Sequence, residues 1–258
     1  MTGGEKVAVV TGGASGIGLA IVECLAGSGF RVLVADVSGK ESEVAAGLGA
    51  GVEAIHVDVT SPGDVKAMVE AALDGWGRLD GLVNVAGTCP NFDLIGDCPV
   101  EAYDLIMDVN LKGTFLAIKY AAPVMAAGGG GSIVNIASAG GIGGVARMGA
   151  YCAAKAGVIQ LTKVAAIEYG LQDVRVNAVC PGTTLTPMAE NFFTSMPGQR
   201  EEVEAATALG RLGKPSDVAE VAAFLLSDAA SYVTGTAVPV EGGRLASPVS
   251  RQLARVES

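Results

Sequence analysis

Short runs of β-branched residues alternate with alanine-rich stretches along almost the whole chain, and this rhythm limits the fold more than any other feature. Val7–Thr11, Val32–Asp36, Ala54–Asp58, Leu79–Val85, Ser132–Ala137, Val174–Val179 and Thr236–Val240 read as strands. Helical stretches lie between them near 17–28, 39–48, 62–75, 100–127, 150–170 and 215–227. Strands joined through helices make right-handed crossovers, so the expected fold is α/β: a doubly wound, Rossmann-like parallel sheet of about seven strands. No linker divides the 258 residues, and the glycine run at 128–131 reads as a turn, so a single domain over 1–258 is expected. Two segments break the rhythm. Residues 186–210 form an insertion after the sixth strand, and the stretch 244–258 reads as a C-terminal tail.

Bulk properties remove several function classes. A formal net charge of -10 repels nucleic acid phosphates and anionic lipid. No apolar run reaches the length of a membrane span, and Met1 to Lys6 lack a signal-peptide core, so cytoplasmic residence is expected. The five cysteines are scattered without a CxxC pair, which argues against a disulfide framework or a metal site. His56 is the only histidine and sits in an apolar run; it reads as structural, and a Ser-His-Asp mechanism lacks its base.

The first strand runs into Thr11-Gly12-Gly13-Ala14-Ser15-Gly16-Ile17-Gly18, and a helix opening near Gly16 aims free N–H groups at an anion. With 37 glycines in the chain, a cluster alone is weak evidence; its place between strand and helix gives it weight. Asp36 closes the second strand, where a carboxylate accepts from both hydroxyls of an adenosine ribose. A 2′-phosphate about 4 Å from that charge would be repelled by roughly 4 kcal/mol at an effective dielectric near 20. No lysine or arginine stands at Ala14, Ser15 or Val37 to compensate, so NAD is the expected cofactor.

Tyr151 and Lys155 are four apart in an alanine-rich helix and share a face. Alone, such a pair is an ordinary surface feature. Its chemical use is to lower a phenol pKa of about 10, with the ammonium and an oxidised nicotinamide stabilising the tyrosinate. Tyr151 then takes a hydroxyl proton as hydride leaves the carbon. Ser138 follows an apolar strand and is a candidate to hold the substrate oxygen; alone it reads as a turn residue.

Together these residues resemble the short-chain dehydrogenase/reductase family, over roughly residues 5–243. Gly12, Ser15, Gly16, Ile17 and Gly18 are similar to its glycine motif, and Asp58-Val59 to its adenine-contacting pair. Asn84-Val85-Ala86-Gly87 resembles its Asn-Asn-Ala-Gly motif with Val85 in place of the second Asn. The resemblance implies catalytic roles for Asn110, Ser138, Tyr151 and Lys155: Tyr151 as acid/base, Lys155 on the nicotinamide ribose lowering the Tyr151 pKa, Ser138 orienting the substrate oxygen, and Asn110 holding a relay water. It further implies cofactor contacts from Asn84, Ala86, Gly87, Pro181, Gly182, Thr184, Thr186 and Met188, with Thr186 on the carboxamide. Val85 is expected to weaken one strand-to-loop hydrogen bond at most. Thr184 stands where the family often has Ile or Val, with little loss expected.

The expected substrate pocket draws on 88–93, 139–148 and 188–210, with Cys89, Met148 and Phe192 joining Ser138 and Tyr151. The third region reads equally as a substrate lid or as a plain amphipathic helix. An apolar lining suggests a neutral secondary alcohol, cyclic alcohol or diol. A 3-oxoacyl-thioester reductase and a catalytically idle NAD-binding scaffold remain as alternatives. The helices near 100–127 and 150–170 carry little outward charge, which together with the resemblance implies a homotetramer.

Overall fold

Every β-branched run becomes a strand, and all seven join one parallel sheet. The structure, a computed structural model, describes residues 5–246. The strands are β1 (Val7–Thr11), β2 (Arg31–Asp36), β3 (Val52–His56), β4 (Gly81–Asn84), β5 (Gly131–Ile136), β6 (Val174–Pro181) and β7 (Ala237–Val240). Their order is β3-β2-β1-β4-β5-β6-β7, with every neighbouring pair parallel. The helices are α1 (Gly16–Gly27), α2 (Glu41–Leu48), α3 (Pro62–Trp76), α4 (Val100–Met107), α5 (Gly113–Ala127), α6 (Gly149–Tyr169), α7 (Pro187–Ser195), α8 (Gln199–Ala205) and α9 (Pro215–Leu226).

A strand alternates its side chains between two faces, so β1 and β2 feed two cores. Val10, Val32 and Val34 meet Ile21, Val22 and Leu25 of α1 and Leu225 of α9 on one face. Val9, Leu33 and Leu82 meet Met68 of α3 and Leu116 and Met125 of α5 on the other. Burying both faces explains why the strands read as continuous apolar runs. The chain steps outward from β1 to β3, then returns to place β4 on the other side of β1. That reversal opens a crevice at the carboxyl ends of β1 and β4, the usual ligand position in such sheets.

Several boundaries differ from the sequence expectation. β3 starts and ends earlier than 54–58, and β6 runs on to Pro181. The helix expected over 100–127 is two helices joined through a π-helical turn, Asp108–Lys112. The insertion at 186–210 folds as α7 and α8. Of the tail expected over 244–258, residues 247–258 lie outside the described residues. At the far edge, Ala178 N–H donates to the Thr236 carbonyl and Gly182 N–H to that of Val240. Even-numbered residues of β7 therefore turn their backbone groups toward β6, while Ala237 and Pro239 turn theirs outward. No helix among the described residues is long and apolar enough to cross a membrane.

Candidate active site

β1 delivers the glycine turn to the crevice. Gly12 (φ 64) and Gly16 (φ 53) adopt left-handed backbone that side chains disfavour. Close packing constrains the turn as well: a Cβ on Gly12 would lie 2.8 Å from the Ala86 Cα, and one on Gly18 only 1.9 Å from the Gly12 carbonyl oxygen. Ser15 is the N-cap of α1, yet its side chain makes no capping bond and no acid stands in the first turn. The first N–H groups of α1 are thus left for an anion, and a dinucleotide diphosphate fits this donor set. Ile17 is half-buried against the α1 core.

The Asp36 carboxylate closes the turn from β2. Its Oδ2 accepts from Ala14 N–H at 3.0 Å and its Oδ1 from Ser38 N–H at 2.9 Å. Each oxygen keeps acceptor capacity, so a ribose can still be bound there. Asp58 is exposed and folds back on Thr60, whose N–H and hydroxyl donate to its Oδ1 at 2.9 and 2.8 Å. Val59 is buried where Gly113 allows close approach.

The Asn84–Gly87 segment leaves the end of β4 beside the glycine turn. Thr11 Oγ1 accepts from the N–H groups of Val85 and Ala86 at 3.1 and 3.3 Å. The valine at 85 therefore leaves its own backbone N–H satisfied, because the contact is made by Thr11. Sequence reading missed Thr11; its one signal was a polar residue ending an apolar strand. Asn84 Nδ2 donates to Asn135 Oδ1 at 2.8 Å, Asn135 Nδ2 to Thr162 Oγ1 at 2.9 Å, and Thr162 to the Val158 carbonyl at 2.8 Å. This buried chain ties β4 and β5 to α6 and was also missed, since nothing local marks it.

Gly87 is the meeting point of two expected catalytic residues. A Cβ there would lie 2.8 Å from Asn110 Oδ1 and 3.4 Å from Lys155 Nζ. Asn110 is fully buried in the π-helical turn. Its Nδ2 donates to the carbonyls of Thr88 (2.8 Å) and Ile106 (2.9 Å), and its own carbonyl accepts from Thr114 Oγ1 at 2.9 Å. Side chains thus replace the ladder bonds that the widened turn disrupts.

Lys155 is 3% exposed, and its Nζ donates to the Ile136 carbonyl at 2.8 Å, lying 5.7 Å from the Tyr151 ring centre. Burial pushes the Lys155 ammonium down to about 8, with Cys180 opposing weakly. Burial pushes the Tyr151 phenol up to about 12, against a hydrogen bond with Ser138 that pulls it down. In the protein alone the phenol therefore sits above its ordinary value, whereas the depression expected from sequence drew on an oxidised nicotinamide together with Lys155. In a site this dry both charged forms are penalised, and an ammonium directed at a backbone carbonyl does not offset that penalty for the phenolate. The Ser138 hydroxyl also accepts from Gly140 N–H at 3.0 Å.

β6 leads into the loop expected at the nicotinamide. Pro181 ends the strand, and a Cβ on Gly182 would lie 2.8 Å from the Glu241 Cα. Thr184 is buried and bridges to Gly213. The Thr186 hydroxyl donates to the Thr184 carbonyl at 3.2 Å and caps α7 by accepting from Ala189 N–H at 3.3 Å. Its donor, expected on a carboxamide, is engaged within the chain here. Met188 is half-buried on the first turn of α7.

A cleft of about 640 Å³ lies between residues 90–93 (next in sequence to Cys89), Arg147 (four residues before Tyr151) and the α7–α8 segment at 195–199. Phe192 meets Phe92 edge-on with centres 5.0 Å apart, and Phe193 stacks behind it at 5.4 Å. Cys89 is buried near Tyr151, and desolvation raises its thiol to about 11. Met148 is half-buried immediately before α6. Asn91, Arg147 and Gln199 make this cleft more polar than the apolar lining expected from sequence.

A family model described as Enoyl-(Acyl carrier protein) reductase matches residues 12–244. The 2,5-dichloro-2,5-cyclohexadiene-1,4-diol dehydrogenase of Sphingobium indicum is 42% identical, over 92% of this chain and 96% of that protein. The cis-4-hydroxycyclohexanecarboxylate dehydrogenase of Sinomonas cyclohexanicum is 41% identical, over 93% and 96%. Among solved structures, levodione reductase superposes with a TM-score of 0.90 at 37% identity, covering 94% of this chain and 98% of that one. NADP-bound ElxO gives 0.89 at 27% identity, over 95% and 100%. The glycine turn, the buried Tyr151–Lys155 pair and this breadth of similarity converge: the chain belongs to the short-chain dehydrogenase/reductase family.

Proposed function

We propose that the protein is an NAD-dependent dehydrogenase of secondary alcohols, cyclic alcohols or diols, and in reverse a carbonyl reductase. The observation that carries this reading is the convergence of Ser138, Tyr151, Lys155 and Asn110 at the carboxyl end of the sheet, beside a glycine turn with free N–H groups. NAD, when bound, supplies the hydride acceptor and a positive charge. Tyr151 takes the alcohol proton at its phenolic oxygen, and Ser138 holds the substrate oxygen beside it. Lys155 holds the ribose and, together with the positive nicotinamide, favours the tyrosinate; Asn110, which borders Gly87 as Lys155 does, holds the relay water. Asp36 supports NAD, because both of its oxygens face the segment where a 2′-phosphate would sit.

Relatives named for a cyclohexadiene diol and a hydroxycyclohexanecarboxylate support a ring-borne alcohol. The test is NADH formation across a panel of alcohols and diols, with 3-oxoacyl thioesters in reverse. Turnover of cyclic alcohols that vanishes in Tyr151→Phe, with NAD binding retained, is expected. Activity confined to the thioesters, or persisting in Tyr151→Phe, overturns the reading.

The proposal includes residence in the cytoplasm, one catalytic domain with 186–210 as a substrate lid, and a homotetramer. Exposed apolar side chains support the last: Tyr103 and Leu105 on α4, Phe115 on α5, Val164 and Ile167 on α6, and Phe224 on α9 with Tyr232 beyond it. Covering such residues is what a second copy would do.

A further inference from the structure

We propose that Arg147 makes the outer cleft a receptor for a carboxylate carried at the far end of the alcohol substrate. This rests on the dehydrogenase reading above and names the substrate class of the same site. Arg147 precedes the first turn of α6, the helix that carries Tyr151, so one short segment supplies both the proton-transferring group and a cation at the cleft wall. Its φ is 66, a left-handed conformation that only Asp173 shares among the described non-glycine residues. Gly143 and Gly144 stand in the same loop, yet the position that would suit glycine holds an arginine. A strained residue at a cleft wall is a reasonable pointer to ligand contact.

The guanidinium is also underused. Its one hydrogen bond among the described residues goes to the Phe92 carbonyl at 3.5 Å, the limit of such a contact. Arg31, Arg78, Arg200 and Arg211 each hold a carboxylate, whereas Arg147 has none within ion-pair distance among the described residues. The acid on the same cleft, Asp93, accepts instead from Asn91 Nδ2. Four of the five guanidinium donors are therefore without a partner among the described residues, and a carboxylate entering the cleft can be held by two parallel bonds. Phe92 and Met196 line the same cleft as Arg147 and supply apolar wall for a ring. Asp93 also limits the charge: with Arg147 it leaves the cleft neutral, so a monoanion held directly by the guanidinium leaves one net negative charge, whereas a phosphate dianion leaves two.

The experiment compares kcat/KM for 4-hydroxycyclohexanecarboxylate and its neutral methyl ester, in wild type and in Arg147→Gln, Arg147→Lys and Arg147→Gly. The glycine variant removes the side chain and accepts the left-handed backbone, which separates charge from loop geometry. Wild type should prefer the acid about tenfold or more. Both Arg147→Gln and Arg147→Gly should erase that preference through the KM for the acid, and Arg147→Lys should restore part of it. An acid-to-ester ratio near one in wild type, or unchanged in Arg147→Gln, overturns the proposal. If neither alcohol is oxidised, the dehydrogenase reading is judged by the alcohol and diol panel above. Calorimetric binding of cyclohexanecarboxylate to the NAD-loaded protein then decides: binding lost in Arg147→Gln supports the carboxylate receptor, and no binding in wild type overturns it.

Discussion

Lys155 and Tyr151 lie one helical turn apart, yet burial moves their proton affinities in opposite directions, to about 8 and about 12. The first proton to leave the pair as pH rises is therefore the ammonium's. A bound ribose and diphosphate favour the charged lysine, so NAD binding at pH 9 should take up a proton. Calorimetry in buffers of different ionisation enthalpy reads this, and Lys155→Met should abolish the uptake; equal uptake in both proteins excludes Lys155 as its source. The effect on stability has a definite sign. Unfolded lysine keeps its proton to 10.5, so folding becomes less unfavourable for this group as pH rises from about 8 to 10.5. Tyr151 acts the other way: its unfolded phenol ionises near 10.0 while the folded one holds its proton to about 12, so stability falls across that window. At Asp36, removal of the carboxylate in Asp36→Ala should shift the NAD-to-NADP ratio of binding constants at least tenfold toward NADP; an unchanged ratio discards the ribose assignment. These residues were legible in sequence because each depends on local spacing: Tyr151 and Lys155 on one helix, Asp36 at a strand end. Thr11 and the Asn84–Asn135–Thr162 chain were not, because their partners are distant in sequence and no periodicity marks them.

At the level of elements, all seven strands were legible from β-branched runs, and their ends moved because hydrogen-bonded pairing, not composition, decides where a strand stops. The break in the 100–127 helix was illegible. A π-helical turn keeps its residues helical and leaves the apolar pattern nearly intact, so only the bonds of Asn110 and Thr114 reveal it. Such a turn carries one extra residue relative to an ordinary helix. Deleting Val109 should restore an ordinary α-helix, keep far-ultraviolet circular dichroism within error of wild type, and cut kcat/KM by about a hundredfold or more as Asn110 rotates away from Gly87. Retained activity would show that the turn's geometry is incidental. The glycine turn is less forgiving. A methyl group on Gly18 meets the Gly12 carbonyl at 1.9 Å, so Gly18→Ala should lose about 1–3 kcal/mol in chemical denaturation and most of its NAD affinity.

Across the whole molecule, the reversal of strand order divides the crevice: β1 and β2 bring the glycine turn and Asp36 to one end, and β4 to β6 lead into the segments around Gly87, Ser138 and Gly182. Ile167 on α6 is 81% exposed, and in the proposed homotetramer a second copy would cover it. Ile167→Glu should convert the assembly to smaller species by light scattering, with the monomer fold preserved; an unchanged mass places the interface elsewhere. The outer strand bears on how copies meet. Pro239 sits at a position of β7 whose backbone looks away from β6, and proline has no N–H to offer there. A neighbouring molecule therefore finds a ladder with a missing rung, so two such sheets are hindered from fusing into one continuous ribbon or growing into a fibre. Copies that gathered along this border would have fewer backbone bonds to share and would lean more on side chains.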